Sequence, residues 1–217
     1  MALGADMKVD ADIEALVKAE RLTDAAGIAS CRGQAALASE LYERACAFAA
    51  AGTQAFAAGD HERALLLAAV AEDDAIAERA LGAIKSDNVR ARVAHELGRR
   101  GHHGWSARVL ETIGRAAEAA NAWSRAGRAD RAADLLERLG EPVAAARELE
   151  SALKVDPERH GFRLQLGRLL LRHGRSEAGV HVLQAIPRDA PERAHALVDL
   201  GRAFEALGLP LASAEAK

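Results

Sequence analysis

The histidines near the middle of the chain are the first residues whose type and spacing could form a chemical site. His95 lies seven residues before His102, and His103 follows directly, with Gly101 and Gly104 on either side of the pair. Imidazole is a common ligand for zinc, but a zinc site needs further ligands at a set spacing, as in HExxH or a cysteine pair. The sequence has neither arrangement. We therefore predict a solvated turn around the histidine pair and no bound metal.

No other segment has the pattern of a nucleotide site or of an activated nucleophile. The glycine-containing segments GHHG at 101 and GEP at 140 match neither GxxxxGKS/T nor GxGxxG, and no predicted strand precedes them. The GxSxG motif does not occur, and the acidic run at 72–74 fits helix caps and exposed helix faces. We therefore predict a protein that is not an enzyme and that uses no cofactor.

The cysteines and the start of the chain bear on the cell compartment. Cys31 and Cys46 are well separated along the chain and form no CxxC motif, which is typical of a reducing compartment, and we predict that they are core or interface thiols. The opening segment, MALGADMKVDADIEALVKAERL, resembles neither a secretory signal nor a transit peptide. The most apolar window, ALLLAAVA at 64–71, is shorter than the roughly 20 residues that a membrane-spanning helix needs. These observations predict a cytoplasmic protein without membrane insertion.

The composition favours an all-helical protein. Apolar residues make up 50% of the 217 residues, but aromatic residues make up only 3%. A core of alanine, leucine and valine suits close packing of helices better than a β-sandwich, in which aromatic and β-branched residues are abundant. The net charge of -3 provides no overall attraction to nucleic acids or anionic membranes, so we predict no nucleic-acid partner.

Regularly spaced glycines divide the middle of the chain into short segments. Gly101, Gly114, Gly127 and Gly140 occupy every thirteenth position of this stretch. Glycine often closes the C terminus of a helix because, without a Cβ, it adopts the left-handed backbone conformation at little cost. The spacing therefore predicts helices of about nine to eleven residues joined by tight turns, and apolar residues recur within the segments at helical intervals. Helices this short are marginal alone in water, so they must pack on one another.

After Gly140 a longer, 34-residue period begins. The positions that share this period are Gly140, Gly174 and Gly208; Pro157 and Pro191; the LGR tripeptides at 166 and 200; and Ala145, Gly179 and Ser213. A fixed period of this length is typical of arrays in which each unit packs on its neighbours. We predict a unit of helix, glycine turn, second helix and proline turn, with small residues where the two helices cross closely.

This unit resembles the tetratricopeptide repeat, a helix-turn-helix of the same period. In the stretch 160–193, the family's Leu-Gly pair, its tyrosine-like position, the packing positions of its second helix and its terminal proline correspond to Leu166, Gly167, Leu170, Gly179, Leu183, Ile186 and Pro191. The next unit repeats the pattern with Leu200, Gly201 and Phe204, and the preceding unit with Leu136, Ala145, Leu149, Ala152 and Pro157. Ala132 and Ala133 replace the Leu-Gly pair in that preceding unit, and the early tryptophan of the family is missing throughout. The resemblance covers residues 126–217.

The resemblance implies an all-α fold, a right-handed α-solenoid of antiparallel helix pairs. We predict an N-terminal helical leader at 1–32, irregular repeats of the same type at 33–125, and three units at 126–159, 160–193 and 194–217, of which the last is truncated. Helices are predicted at roughly 73–84 and 87–99, and the segment RRGHHGW at 99–105 is predicted to break the regularity. Because the final segment stops part-way through a second helix, we expect the natural chain to continue beyond Lys217, and the uncovered apolar end could support a homo-oligomer.

In arrays of this family, the first helix of each pair lines the concave surface. By that resemblance the peptide-groove positions are Leu164, Arg168, Arg172, Val198 and Arg202, and the preceding unit places Asp130 and Asp134 there. Guanidinium groups pair bidentately with carboxylates, so such a groove would fit an acidic or carboxylate-bearing peptide. The alternative is that these arginines pair with neighbouring glutamates on a solvated face. The lysine and asparagine of the family's clamp for chaperone C termini are absent here, which argues against a chaperone-tail receptor.

The sequence therefore predicts a scaffold or adaptor that binds a protein or peptide on the concave face of the array. A second hypothesis is a regulatory or sensor region of a longer multidomain protein whose effector domain lies outside these residues. A third is RNA binding by helical repeats, which requires basic grooves, and the net charge of -3 counts against it. The alanine- and arginine-rich composition is compatible with a bacterial source.

Overall fold

The structure is a computed structural model that describes residues 10–208 of the chain. Within this range every regular element is an α-helix, which confirms the all-α prediction. In chain order the helices are α1 (Ala11–Lys18), α2 (Leu22–Cys31), α3 (Ala35–Arg44), α4 (Phe48–Ala57), α5 (His61–Val70), α6 (Asp74–Ala83), α7 (Asp87–Arg99), α8 (His103–Thr112), α9 (Ala116–Arg125), α10 (Ala129–Arg138), α11 (Pro142–Val155), α12 (His160–Arg172), α13 (Ser176–Gln184) and α14 (Arg193–Ala206). None of these described helices is both long and apolar enough to cross a membrane.

The chain divides into two compact units, Met1–Val109 and Leu110–Lys217. In the first unit, each helix from α1 to α5 packs on the helix that follows it, and contacts also join α4 to α6 and α5 to α7. In the second unit, each helix from α9 to α13 packs on its successor, and contacts also join α10 to α12 and α12 to α14. Contacts between consecutive helices and between helices two apart are the packing pattern of a helical-repeat array.

The period of the spaced glycines also governs the first unit. The helices α2 to α7 begin at evenly spaced residues, one at every thirteenth position: Leu22, Ala35, Phe48, His61, Asp74 and Asp87. The turns before α2 to α6 each contain one residue with a positive φ, and these residues are Glu20, Gly33, Cys46, Gly59 and Glu72. Because three of the five are not glycine, glycine spacing in the sequence does not show the period.

Hydrogen bonds in these turns explain the positive φ. After α3 the N–H of Ala47 donates to the carbonyl of Tyr42 at 2.9 Å, and after α5 the N–H of Asp73 donates to the carbonyl of Ala68 at 2.9 Å. Each bond reaches back five residues and closes a Schellman motif, which requires a left-handed residue just before the donor. Cys46 and Glu72 hold that position with a φ of 56° each, where a Cβ crowds the backbone.

Glycine at these two positions is expected to stabilise the first unit. Cys46→Gly and Glu72→Gly should each raise the free energy of unfolding by about 0.5–1 kcal/mol, because relief of the left-handed strain exceeds the extra freedom that glycine gives the unfolded chain. Urea denaturation followed by circular dichroism measures the change. Gly59→Ala, at the equivalent turn, is the reverse control and should lower stability. A loss of stability in both glycine variants would contradict the strain argument.

The regular spacing of helix starts is interrupted after α7. This helix is longer than α2 to α6, and α8 begins at His103, three positions later than the period would place it. Gly101 takes a φ of +86°, and the N–H of His102 donates to the carbonyl of Leu97 at 2.9 Å, so the turn itself is of the same type. The segment 99–105, in which the sequence predicts a break, contains this turn. The flanking helix predicted at 87–99 is observed as Asp87–Arg99.

In the second unit, two glycines bring α12 and α13 into close contact. A Cβ on Gly167 would lie only 2.5 Å from Cδ2 of Leu183, and a Cβ on Gly179 would lie 2.8 Å from Cδ2 of Leu171. This contact confirms the expectation of small residues where the two helices of a unit cross. The later position of the same register, Ser213, lies outside the described residues.

Candidate functional site

A cleft between α12 and α14 contains three of the arginines that the sequence singles out. Its lining consists of Arg168, Leu171 and Arg172 from α12, Ser176 from the start of α13, and Asp199, Arg202, Ala203 and Ala206 from α14. The volume of the cleft is about 520 Å³. The residues on each helix recur three or four positions apart, so they lie on one helix face. The cleft is therefore lined by apolar and charged residues from both helices.

Asp199 organises the α14 wall. Its Oδ2 accepts a hydrogen bond from Nε of Arg168 at 2.6 Å, while Nη1 of Arg202 lies 4.0 Å from its Oδ1. The Asp199 side chain is only 14% exposed, whereas the side chain of Arg202 is 76% exposed. Arg168 is therefore held in place by a charge-assisted hydrogen bond, and Arg202 is the arginine of the cleft that is most open to a ligand.

Arg172 is paired with a carboxylate on the other side, on α10. Its Nε and Nη2 donate to the two carboxylate oxygens of Glu137 at 2.9 and 2.7 Å, and Nε2 of His173 lies 3.0 Å from Oε1 of Glu137. The hydrogen bonds from Arg172 hold the pKa of Glu137 below its usual range, and the same pair raises the pKa of Arg172. Arg172 thus pairs with a glutamate on α10, whereas Arg168 pairs with an aspartate on α14 that is only 14% exposed.

The two aspartates of the preceding unit are also engaged. Oδ1 of Asp134 accepts a hydrogen bond from Nε2 of Gln165 at 2.7 Å. Asp130 forms an ion pair with Arg128 at 2.7 Å, and that hydrogen bond lowers the pKa of Asp130. The wall of α10 that faces α12 is therefore acidic but already hydrogen-bonded.

Comparison with known proteins supports the repeat assignment. Residues 138–200 match the tetratricopeptide repeat family. The protein contains a tetratricopeptide-like repeat region. The matched segment includes α11, α12 and α13, and it contains the Gly167–Gly179 contact. The cleft therefore lies at the C-terminal end of this repeat region and extends past it along α14.

Two solved structures match the chain at low sequence identity. YrrB, described as a tetratricopeptide protein with an unusual peptide-binding site, is 14% identical with a TM-score of 0.36, and the match covers 96% of this chain and 89% of that one. PilF of Pseudomonas aeruginosa is 12% identical with a TM-score of 0.41, and the match covers 91% of this chain and 87% of that one. No curated protein matches the sequence significantly.

The remaining two groove positions lie apart from the cleft lining. Leu164 is only 8% exposed and packs in a core cluster with Leu183 and Leu200, so little of its surface is available to a ligand. Val198 on α14 is 53% exposed but is not among the residues that line the cleft. The cleft thus brings together three of the five predicted positions, Arg168, Arg172 and Arg202.

The structure adds cleft residues that the sequence analysis did not name. These are Leu171, Ser176, Asp199, Ala203 and Ala206. A signal for some of them exists in the sequence, because Leu171 follows Arg168 by three positions and Ala206 follows Arg202 by four, the intervals of one helix face. The role of Asp199 could not be predicted from helical spacing, since its partner Arg168 lies on another helix.

The structure also places the cysteines and histidines that the sequence analysis considered. Cys31 and Cys46 are both exposed, so the prediction of core thiols is wrong. The reason is local, because Cys31 ends α2 and Cys46 occupies the left-handed position of a turn. The alternative that they are interface thiols stays a prediction. His95 lies within α7, His102 lies in the following turn, and His103 begins α8. Among residues 10–208, no group of three or more histidine, cysteine or acidic side chains could hold a metal ion.

Proposed function

We propose that this protein is a non-catalytic scaffold that binds a segment of another protein in the cleft between α12 and α14. The observation that carries the proposal is the convergence of Arg168, Arg172 and Arg202 on one cleft that apolar residues also line. Its lining contains three arginines and a single carboxylate, that of Asp199. Even with Glu137 paired to Arg172, the three arginines outnumber these two carboxylates, so the potential inside the cleft favours an acidic ligand.

Different residues of the cleft would have different roles in binding. Arg168 and Arg172 are fixed by their ion pairs, so they present their remaining N–H groups in a set geometry and lose little freedom when a ligand binds. Arg202 has only a long contact with Asp199, at 4.0 Å, and its exposed side chain can turn toward a carboxylate of the ligand. Leu171, Ala203 and Ala206 would contact an apolar side chain of the same segment. The cleft thus fits a short peptide that carries an acidic residue beside an apolar one.

Reversing the charge of Arg202 is expected to weaken partner binding by about tenfold or more, because the change removes an attraction and adds a repulsion. Arg202 is the preferred position because its side chain is 76% exposed and it is neither partner of the Arg168–Asp199 hydrogen bond, although its Nη1 lies 4.0 Å from Oδ1 of Asp199. The measurement is affinity capture from the native lysate with the wild-type chain and with Arg202→Glu, followed by quantification of each retained protein.

Arg188→Glu is the matched control. Arg188 is exposed in the turn after α13 and does not line the cleft, so the change in net charge is the same. A partner that is retained by Arg188→Glu and lost with Arg202→Glu supports the cleft. A partner that both variants retain undiminished would refute the assignment of the cleft.

A further inference from the structure

A second groove in the same unit differs from the cleft in its charges. It lies between the N-terminal half of α11 and the C-terminal end of α12 and has a volume of about 430 Å³. The lining residues that matter here are Val143, Arg147, Glu150, Leu169, Leu170 and Arg175. We refer to this surface as the α11–α12 groove.

The floor and one edge of the α11–α12 groove are apolar. Leu169 and Leu170 are buried and form part of a core cluster with Leu149, so the floor is rigid. Val143 stands beside them on α11 and is 59% exposed. A valine left open beside a leucine floor offers apolar surface that a ligand side chain could remove from water.

The arginines of the α11–α12 groove differ from those of the cleft in their pairing. Arg147 and Arg175 are both exposed, and neither forms an ion pair with any residue that the structure describes. In the cleft, by contrast, Asp199 and Glu137 already occupy Arg168 and Arg172. An arginine without a carboxylate partner can offer both arms of its guanidinium to a ligand.

The order of residues along α11 gives the groove a direction. Val143, Arg147 and Glu150 follow one another at intervals of four and three residues, so they lie on successive turns of one helix face. A ligand therefore meets an apolar position, then a basic position, then an acidic position. Glu150 disfavours a second acidic group at its end of the groove by like-charge repulsion.

We propose that the α11–α12 groove is a second docking site, which takes a peptide segment of a partner protein carrying a carboxylate next to a large apolar side chain. The carboxylate pairs with Arg147 and Arg175, and the apolar side chain covers Val143 and the leucine floor. This site goes beyond the cleft proposed above and shares no lining residue with it. With both sites occupied, the chain would hold two protein segments at once, which is the action of a bridging scaffold.

The test uses the full chain and a defined set of fluorescein-labelled octapeptides. The set places aspartate or glutamate next to leucine or phenylalanine in both orders, with amide isosteres and serine replacements as matched probes. Fluorescence polarisation gives the dissociation constants. We expect at least one acidic–apolar peptide to bind, and to bind about tenfold more weakly as its amide isostere, because a charge-assisted pair is lost.

Variants assign the binding to the groove. Arg147→Glu and Arg175→Glu should each weaken that peptide by about tenfold, Val143→Ser should weaken it severalfold, and Glu150→Gln should tighten it. Arg188→Glu should leave the binding unchanged, as the control for net charge. All these side chains are exposed, and unaltered circular dichroism and thermal midpoints would show that the fold is intact.

Arg202→Glu separates this proposal from the cleft. Peptide binding that survives Arg202→Glu and is lost in Arg147→Glu supports the α11–α12 groove, whether or not the cleft has a partner of its own. Binding that is lost in Arg202→Glu and survives Arg147→Glu assigns the peptide to the cleft and overturns the present proposal. The proposal is equally overturned if no acidic–apolar peptide binds more tightly than its isosteres.

Discussion

Gly167→Ala is expected to lower the free energy of unfolding of the second unit by about 1–2 kcal/mol. The new Cβ would lie 2.5 Å from Cδ2 and 2.6 Å from Cγ of Leu183, a side chain that is fully buried. Forcing a methyl group into a packed core lowers the free energy of unfolding by about 1–3 kcal/mol, whereas replacing glycine by alanine inside a helix raises it by about 0.5–1 kcal/mol. The clash outweighs the gain in helix propensity because Cγ of Leu183 is close to its own backbone and cannot move freely.

Gly82→Ala is the matched control for this substitution. Gly82 lies within α6, and no atom would come within 4 Å of a Cβ placed there. Only the gain in helix propensity then applies, so this variant should be more stable than the wild type by about 0.5–1 kcal/mol. Urea denaturation measures both changes, and hydrogen exchange of peptides from α12 and α13 reports the local loss in Gly167→Ala. Equal stabilisation in the two variants would show that the α12–α13 contact is not tight.

Leu183→Ala should cause the largest loss of the variants considered, about 3 kcal/mol, because it removes a fully buried side chain and leaves a cavity against Gly167. Adding Gly167→Ala to it should cost much less than the sum of the two single changes, since the alanine methyl enters the space that the leucine leaves. The double-mutant cycle is measured by urea denaturation of the four proteins, and a coupling of about 1 kcal/mol or more is expected.

Leu139→Ala is the control for the loss of leucine as such. Leu139 is 43% exposed at the end of α10, and its replacement should change stability by less than about 0.5 kcal/mol. Strict additivity of Gly167→Ala and Leu183→Ala would argue that the two residues do not share the same space. The cycle therefore tests the crossing of α12 and α13 directly, without any knowledge of a binding partner.

The two proposed docking sites differ in whether their arginines already have carboxylate partners within the protein. In the cleft, ion pairs within the protein have already used Arg168 and Arg172, so a ligand must compete with Asp199 and Glu137 or rely on Arg202. In the α11–α12 groove, Arg147 and Arg175 have no such competitors among the described residues. For this reason we expect a stronger dependence on ligand charge, and on salt concentration, at the α11–α12 groove than at the cleft.

The sequence by itself determined the class of the fold and the repeat in its C-terminal part. The low aromatic content, the short apolar stripes and the 34-residue period are patterns of the sequence itself, and such patterns can be read without a structure. The same is true of Gly167 and Gly179, whose small size marks the place where α12 and α13 cross. Glycine at the turns is also a local signal, since the left-handed conformation favours it.

The period of the first unit shows where local signals fail. Glu20, Cys46 and Glu72 occupy left-handed turn positions that residue type does not announce, so the regular spacing becomes visible only in the helix boundaries. The turns form nonetheless because helix packing and the Schellman hydrogen bonds stabilise the fold by more than the left-handed strain costs. That strain is about 1–2 kcal/mol at each position.

Only the tertiary structure decided which charged residues are free to bind. Arg168 pairs with Asp199 and Arg172 with Glu137, partners that lie 31 and 35 positions away along the chain. Leu164 likewise turns out to be core, because α12 packs on both α13 and α14 and a helix with two neighbours buries more than one stripe. Helical periodicity fixes the face of a residue on its own helix, but the side chains opposite that face belong to other helices and are set by how the helices pack.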